Sequence, residues 1–401
     1  MRLVKLYIGI CYVVSLFLFT CTEPFALVTE SFEDLLVVEA TITDEFKYQE
    51  IKVSRTYLLE DSVPVLETNA DVRIEDSNKN TYRFIHTGDG LYRSVQQFQA
   101  LVGVSYKLII DTDGKEYVST EELLAGKAEI ENLYAELVNL NGTIGVQVLV
   151  DTNENLGTAN FFRYEYEETY KIVAPSFVAF DVVISNVEPG IKSYDVDYVR
   201  RPEELKVCYS SNYSTEIILT NTNGLAENRV SKFPVRFIPS NNSMLRDRYS
   251  ILVKQYVQSA DANNFYKILK DLGTEDGVFI GSQPGYIQGN ISSKQDSKEK
   301  VIGFFDVSSV TSKRIYFNYS DFNIELPPYF YDCDLVYLDY KKDGPPPDTE
   351  PNERYFLYQF LVYNNYKYFA GDKDSVFIIV RPECGDCTTF SSNIKPSFWE
   401  D

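Results

Sequence analysis

Histidine is almost absent from this chain. His86 is the single one in 401 residues, beside one tryptophan and two methionines. Sites that hold zinc or iron through two or three histidines are therefore excluded. A Ser-His-Asp or Cys-His relay would have to use His86 itself. That residue ends a predicted strand beside the turn Thr87-Gly-Asp-Gly90, a solvent-facing place, so no catalytic residue is assigned. Basic residues are scarce too: 38 Lys and Arg face 59 Asp and Glu, for a net charge of −21. Nucleic-acid binding rests on neutralising phosphates and is not expected of such a chain. Long apolar runs are also lacking. The run over residues 6–19 falls short of the ~20 residues that a membrane-spanning helix needs.

That short run is nevertheless the most telling stretch. Arg2 and Lys5 precede it, and Leu18-Phe19-Thr20-Cys21 closes it. A basic start, a short apolar core and a small residue before a cleavage point read as an export leader. Cysteine directly after that point reads as a lipidation site. The Cys21 thiol would carry diacylglycerol, and its amine would become the new N-terminus. Phe19 and Thr20 are a poor match to the small pair usual there, so a plainly cleaved leader and a retained anchor stay open beside this reading. The expected layout is a leader over 1–20 and a lipidated tether over 21–30. No cofactor beyond that covalent lipid is expected, and no metal site.

Four further cysteines, Cys208, Cys333, Cys384 and Cys387, would remain in the exported chain. An oxidising compartment allows disulfides, and four cysteines permit three pairings. Elimination favours Cys384 with Cys387 and Cys208 with Cys333. Cys384-Gly-Asp-Cys387 has the spacing of a redox pair, but the residues after it do not look helical, so a structural loop bridge is expected.

The 31 tyrosines and 26 phenylalanines favour strands, and the fold is expected to be mainly β. Strand and hairpin signals recur every 8–12 residues over 31–125, which predicts an immunoglobulin-like or transthyretin-like β-sandwich. A larger β-rich domain is expected over 126–401. Within it, 161–172 alternates as a long strand whose Phe161, Arg163, Glu165 and Glu167 face differs from its Phe162, Tyr164 and Tyr166 face. Further strands are predicted at 301–307, 314–318, 335–340, 355–363 and 375–380. One helix is predicted at about 260–272, with Ser259 as its cap and Phe265, Ile268, Leu269 and Leu272 on its apolar face. Four prolines within 343–353 predict a stiff loop. Asp151-Thr-Asn-Glu-Asn-Leu-Gly157 approaches a calcium loop, but Leu156 stands where the sharp-turn glycine belongs, so a plain turn is expected. Gly281-Ser-Gln-Pro-Gly-Tyr-Ile-Gln-Gly-Asn290 is Gly-rich without a phosphate-binding lysine and does not open a helix, so it reads as a shaped loop that packs or contacts a partner.

Several segments together carry a resemblance. They include Leu36-Val-Val-Glu-Ala-Thr-Ile-Thr43, Gly90-Leu-Tyr-Arg-Ser94, Gly103-Val-Ser-Tyr-Lys-Leu108 and Phe162-Arg-Tyr-Glu-Tyr-Glu-Glu168. Cys21 followed closely by Pro24-Phe25, then Gln283-Pro284, Gly289-Asn-Ile291, Val301-Ile-Gly-Phe-Phe305, Cys384-Gly-Asp-Cys387 and Asn393-Ile-Lys-Pro-Ser-Phe-Trp399 complete the set. In order and spacing the chain resembles the Bacteroidota outer-membrane lipoproteins of domain-of-unknown-function family number 4249. The resemblance implies a gene often beside that of a SusC-like TonB-dependent transporter, with no established enzyme activity and no catalytic residues to carry over. The expected function is that of a non-enzymatic, surface-facing outer-membrane lipoprotein, an accessory partner of such a transporter in nutrient uptake. An envelope-assembly or adhesion module without a transported ligand is the alternative. Asp61-Ser62-Val63 and Asp374-Ser375-Val376 look like the O-glycosylation triplets of that phylum, the second expected inside a strand.

Overall fold

Period-two alternation sets the architecture. In this computed structural model the described residues are 34–57, 65–152, 159–225, 227–274, 287–341 and 353–401. Several stretches read above lie outside them: the leader, Cys21 and its tether, the Ser62 triplet, residues 153–158 of the calcium-like turn, residues 281–286, and the Pro-rich loop up to residue 352.

The first body is built from β1 (Leu36–Thr43), β2 (Glu50–Arg55), β3 (Val65–Leu66), β4 (Asp71–Asp76), β5 (Thr81–Gly88), β6 (Leu91–Ser94), β7 (Tyr106–Thr112) and β8 (Lys115–Ser119). Alternate residues of β1, namely Leu36, Val38, Ala40 and Ile42, turn into one core with Ile51, Val53, Ile74, Tyr92, Leu108 and Ile110.

The central body adds β9 (Ile130–Leu140), β10 (Thr143–Thr152), β11 (Phe161–Val173), β12 (Phe180–Ser185), β13 (Asp195–Arg200), β14 (Val207–Tyr213), β15 (Ile218–Asn221), β16 (Phe233–Pro239) and β17 (Arg248–Gln258). Helix α1 (Ala260–Thr274), β18 (Ile291–Ser293) and β19 (Val301–Asn318) follow. β16, β10 and β9 form a three-stranded sheet. Val146, Val148 and Val150 of that sheet share a core with Phe162, Tyr164, Ile172, Tyr249, Ile251 and Val253 of β11 and β17. Glu168, buried between the sheets, accepts from Arg236 Nε at 2.9 Å and Nη2 at 3.1 Å, and from the Tyr249 hydroxyl at 2.5 Å.

β19 joins the two bodies. It is a single 18-residue strand where two separate strands, 301–307 and 314–318, were expected. Its first half runs parallel to β1, from Leu36 opposite Val301 to Thr43 opposite Ser308. Its second half runs antiparallel to β17. The result is one sheet in the order β14-β11-β17-β19-β1-β2-β6-β5-β4-β7-β8-β18. The unit read at 31–125 therefore does not close within its own segment. β18 pairs with β8, and Ile291, Val301, Phe305 and Val307 fill its core.

A small third lobe contains β20 (Val336–Asp339), α2 (Glu353–Tyr358), β21 (Lys367–Ala370) and β22 (Val376–Val380), packed against β12 and β13 around Tyr194, Leu357, Phe377 and Ile379. The short α3 (Pro382–Gly385) follows. Two expectations are corrected here. The predicted strand at 355–363 is α2 continued by one π turn over Gln359–Tyr363. Leu357, Phe360 and Leu361 recur at helical spacing and dock on the lobe core, which outweighs the strand preference of the aromatic residues. Ser375 lies in a turn before β22, its hydroxyl donating to Asp372 Oδ1 at 2.9 Å, rather than inside a strand.

The disulfide pairing is corrected as well. Cys208 bonds Cys387, and Cys333 bonds Cys384. Cys384 sits in α3 and Cys387 opens the next helical turn. Asp386 between them is extended, at φ −154° and ψ 104°, and so offsets the two turns. One cysteine thus reaches the segment leading into β20 and the other reaches β14. The lobe is stapled to the central body, and the redox-like spacing holds no redox pair.

Candidate functional site

The seam between the first and central bodies is concave. The strand alternation that sends Phe162 and Tyr164 into the core turns Arg163 and Glu165 to the opposite face of β11. Tyr256 stands directly across from Arg163 on β17. Ser259 caps α1 by accepting from the Ala262 amide at 3.1 Å, as its sequence predicts. The buried stripe of that helix is Ala262, Asn263 and Phe265, while Ile268, placed on the apolar face by periodicity, is exposed. The helix lies against β11 and β19 and brings Phe265, Tyr266 and Leu269 to the cleft.

Arg163 is the centre of the arrangement. It is only 9 % exposed. Its guanidinium lies 4.3 Å from the Tyr256 ring and 4.9 Å from the Tyr266 ring. One Nη pairs with Glu165 Oε1, and the Tyr256 hydroxyl donates to Glu165 Oε2 at 2.8 Å. Nε has no hydrogen-bond partner among the described residues. Burial opposes the charge on Arg163, but Tyr266, Glu165, Tyr256 and Asp306 around it more than offset that and raise its pKa. Burial likewise pushes Glu165 up. Arg163 and the Tyr256 hydroxyl outweigh it and hold the carboxyl below its usual range.

Asp306 lies beneath, fully buried on β19. Its Oδ2 accepts from Gln258 Nε2 at 3.0 Å and from the Ser308 hydroxyl at 2.8 Å. Burial raises its pKa, and these donors with Arg163 offset that only in part.

Above this layer the cleft has two bays, both lined by Arg163, Glu165, Glu39 and Tyr266. The larger, about 600 Å³, is walled by Phe265, Leu269 and Phe304 and edged by Lys47, Lys52 and Glu50. The smaller, about 340 Å³, carries Glu167, Glu216 and Lys254. Its acidic side chains outnumber its basic ones, whereas the larger bay is balanced, a contrast worth noting in a chain of net charge −21. Binding of a small polar ligand is the chemistry this lining suits.

Sequence reading separated the Arg163–Glu165 face of β11 from the Phe162–Tyr164 face. It missed Tyr256, Tyr266 and Asp306, whose only signal is their position on neighbouring strands and on α1. His86 is exposed on β5 against the Tyr92 ring and does not line the cleft. The four cysteines are engaged in the two bridges away from it. Among the described residues no group of three or more His, Cys, Asp or Glu is placed to hold a metal ion. No helix among them is long and apolar enough to cross a membrane.

Fold and cleft together define a mainly β protein assembled around one shared strand, with a mixed-charge cleft at the joint. The chain belongs to the family described as Domain of unknown function (DUF4249), which matches residues 22–314. The match takes in both large bodies and stops within β19 at Arg314. The small lobe's strands β20–β22, Cys333, Cys384, Cys387 and the Asn393–Trp399 segment lie beyond it. No curated protein matches the chain.

Proposed function

We propose that the protein is a non-enzymatic lipoprotein of the outer membrane, held at the cell surface through Cys21. It acts there as an accessory binding partner of a TonB-dependent transporter in nutrient uptake. The observation that carries this reading is the leader ending at Cys21, joined to a body whose mixed-charge cleft suits binding. A lipid tether confines that cleft near a membrane partner and raises its effective concentration. The acidic surface repels anionic lipid, which leaves the tether to do the anchoring. In cell fractionation, Cys21→Ala should move the protein from the outer membrane to the soluble fraction. Sedimentation of the variant with the membrane would remove the main support. A crosslinking pull-down from intact outer membrane should recover a TonB-dependent transporter.

A second reading, an envelope-assembly or adhesion module, is favoured by one surface. Phe46, 66 % exposed, and Val102, 89 % exposed, project from loops of the first body that Lys47 and Phe98 bridge. Recovery of assembly or adhesion machinery in the same pull-down, with no transporter, would select that reading.

A further inference from the structure

β9 is a strand with an open edge. It pairs with β10 alone, at the end of the sheet β16-β10-β9. The hairpin turn between β9 and β10 has Asn141 at φ 52° and Gly142 at φ 88°, the two positive values of a tight two-residue turn. Such a turn makes Leu140 and Thr143 exchange backbone hydrogen bonds. The alternation of an antiparallel ladder then sends the amides and carbonyls of Leu133, Ala135, Leu137 and Asn139 outward. The Ser240 amide, which donates to the Ile144 carbonyl at 2.9 Å, fixes the same phase: Ile144 faces β16 and stands across from Asn139. Toward its start the edge is covered, since Lys313 Nζ donates to the Glu131 carbonyl at 2.7 Å. Beyond that point no described strand pairs with it. Other edges are guarded. β18 is three residues long, Ser392 bridges β14 at Tyr209, and β16 carries Pro234 and Pro239, all devices that discourage edge pairing. β9 has no Pro, Lys or Arg in its 11 residues. Leu137 and Ile144 continue the core-facing row of Leu133, Ala135 and Val146, yet they are 43 % and 51 % exposed.

We infer that β9 pairs antiparallel with β9 of a second copy, about a twofold axis at Leu137, so that two three-stranded sheets become one. A twofold contact needs an edge that is complementary to itself, and β9 is so in one register. Its outward groups allow an axis at Ala135, Glu136 or Leu137, and an axis nearer the turn shortens the ladder. An axis at Glu136 would set that carboxylate directly against its own mate, which is destabilising. An axis at Ala135 would drive Asn139 and Leu140 of the copy onto the stretch that Lys313 covers. An axis at Leu137 sets Leu137 on Leu137, Tyr134 across from Leu140 and Glu136 across from Val138. It adds about six ladder hydrogen bonds and covers the exposed leucines. The net charge of −21 opposes association, but it is screened beyond about 8 Å at physiological salt. Glu136, the charge nearest the axis, lies 3.7 Å from Lys232 of its own chain.

Cysteine crosslinking of the full-length protein in intact cells tests this pairing. Leu137→Cys brings two thiols opposite each other across the axis, at the ~5.5 Å Cα separation of a hydrogen-bonded pair and within disulfide reach. Leu140→Cys is the comparator. It is as exposed, at 45 %, but in this register it stands about 20 Å from its mate. On a non-reducing gel after mild oxidation, Leu137→Cys should run as a covalent dimer and Leu140→Cys as a monomer. Crosslinking of both alike, or of neither, would overturn the proposal. So would an adduct of Leu137→Cys with a different protein, which would give the edge to a foreign strand. Light scattering of the purified protein supplies a second arm. The unaltered chain should have twice the protomer mass. Leu137→Lys, which faces two like charges at the axis, should halve that mass and leave the far-ultraviolet circular dichroism unchanged. Lysine makes the chain less acidic, so repulsion between whole molecules would not account for the loss. A monomeric unaltered chain, or a Leu137→Lys dimer, would overturn the pairing. Neither Cys21 nor the cleft is altered, so the result is independent of the accessory role proposed above.

Discussion

Gly289 and Gly303 show how little room the joint leaves at single positions. A Cβ on Gly289 would stand 1.6 Å from the Gly303 carbonyl oxygen. A Cβ on Gly303, which has φ +151°, would stand 2.3 Å from the Val38 oxygen. The next residue, Asn290, acts as a substitute piece of strand. Its Oδ1 accepts from the Phe305 amide at 2.7 Å and its Nδ2 donates to the Phe305 carbonyl at 2.9 Å. The segments Gly289-Asn-Ile291 and Val301-Ile-Gly-Phe-Phe305, quoted above as motifs, are thus two sides of one contact. Gly289→Ala should cost about 3 kcal/mol or more by overpacking against backbone that has nowhere to go, seen as a lower urea midpoint. A midpoint equal to that of the unaltered chain would show that the two segments do not meet in this way.

Among the elements, the disulfides carry the sharpest prediction. In the chain-entropy account, the 179-residue Cys208–Cys387 separation and the 51-residue Cys333–Cys384 separation make each bridge worth up to about 4–5 kcal/mol. Non-reducing peptide mapping should recover these two pairs. A peptide closed on itself through Cys384 and Cys387 would contradict the fold of the lobe. This pairing was not legible in the sequence, because spacing along the chain says nothing of the extended Asp386 that separates the two turns. α1 was legible as an element, since its Ser259 cap is local, but of its predicted stripe Phe265 is buried while Ile268 is exposed. The strands were legible where one face is buried, as in β1 and β11. The continuity of β19 was not, because its middle residues serve two partners and lose any simple alternation: Phe304, Phe305, Asp306, Val307, Ser308 and Ser309 are all buried in succession. The Arg163 site was half legible for the same reason. Its strand face can be read, but the rings that lie against its guanidinium come from another strand and from a helix.

The whole molecule depends on that shared strand. Two cores of separate sequence, one drawn from residues 36–124 and one mainly from 128–257, are both completed by β19. The segment 31–125 expressed alone lacks β18 and the β1 partner, and so leaves Val38, Ile42 and Ile110 without the cover of Phe305 and Val307. It should stay unfolded, with a collapsed amide dispersion in NMR and no cooperative thermal transition. A dispersed spectrum would show that the first body is autonomous.

The parallel pairing of β1 with β19 also decides how the protein bears load. β1 is the first of the described strands, so a pull through its N-terminal end acts along the strand. β1 is held by eight residue pairs to β19 and five to β2. Tension along β1 loads these ladders in shear, all pairs together, instead of unzipping them one at a time. Resistance to such a pull is a matter of unfolding rate rather than of equilibrium stability. The joint that shapes the cleft is thereby also a mechanical clamp on β1, and if the chain is held through Cys21 as proposed above, drag on the body would load this clamp first.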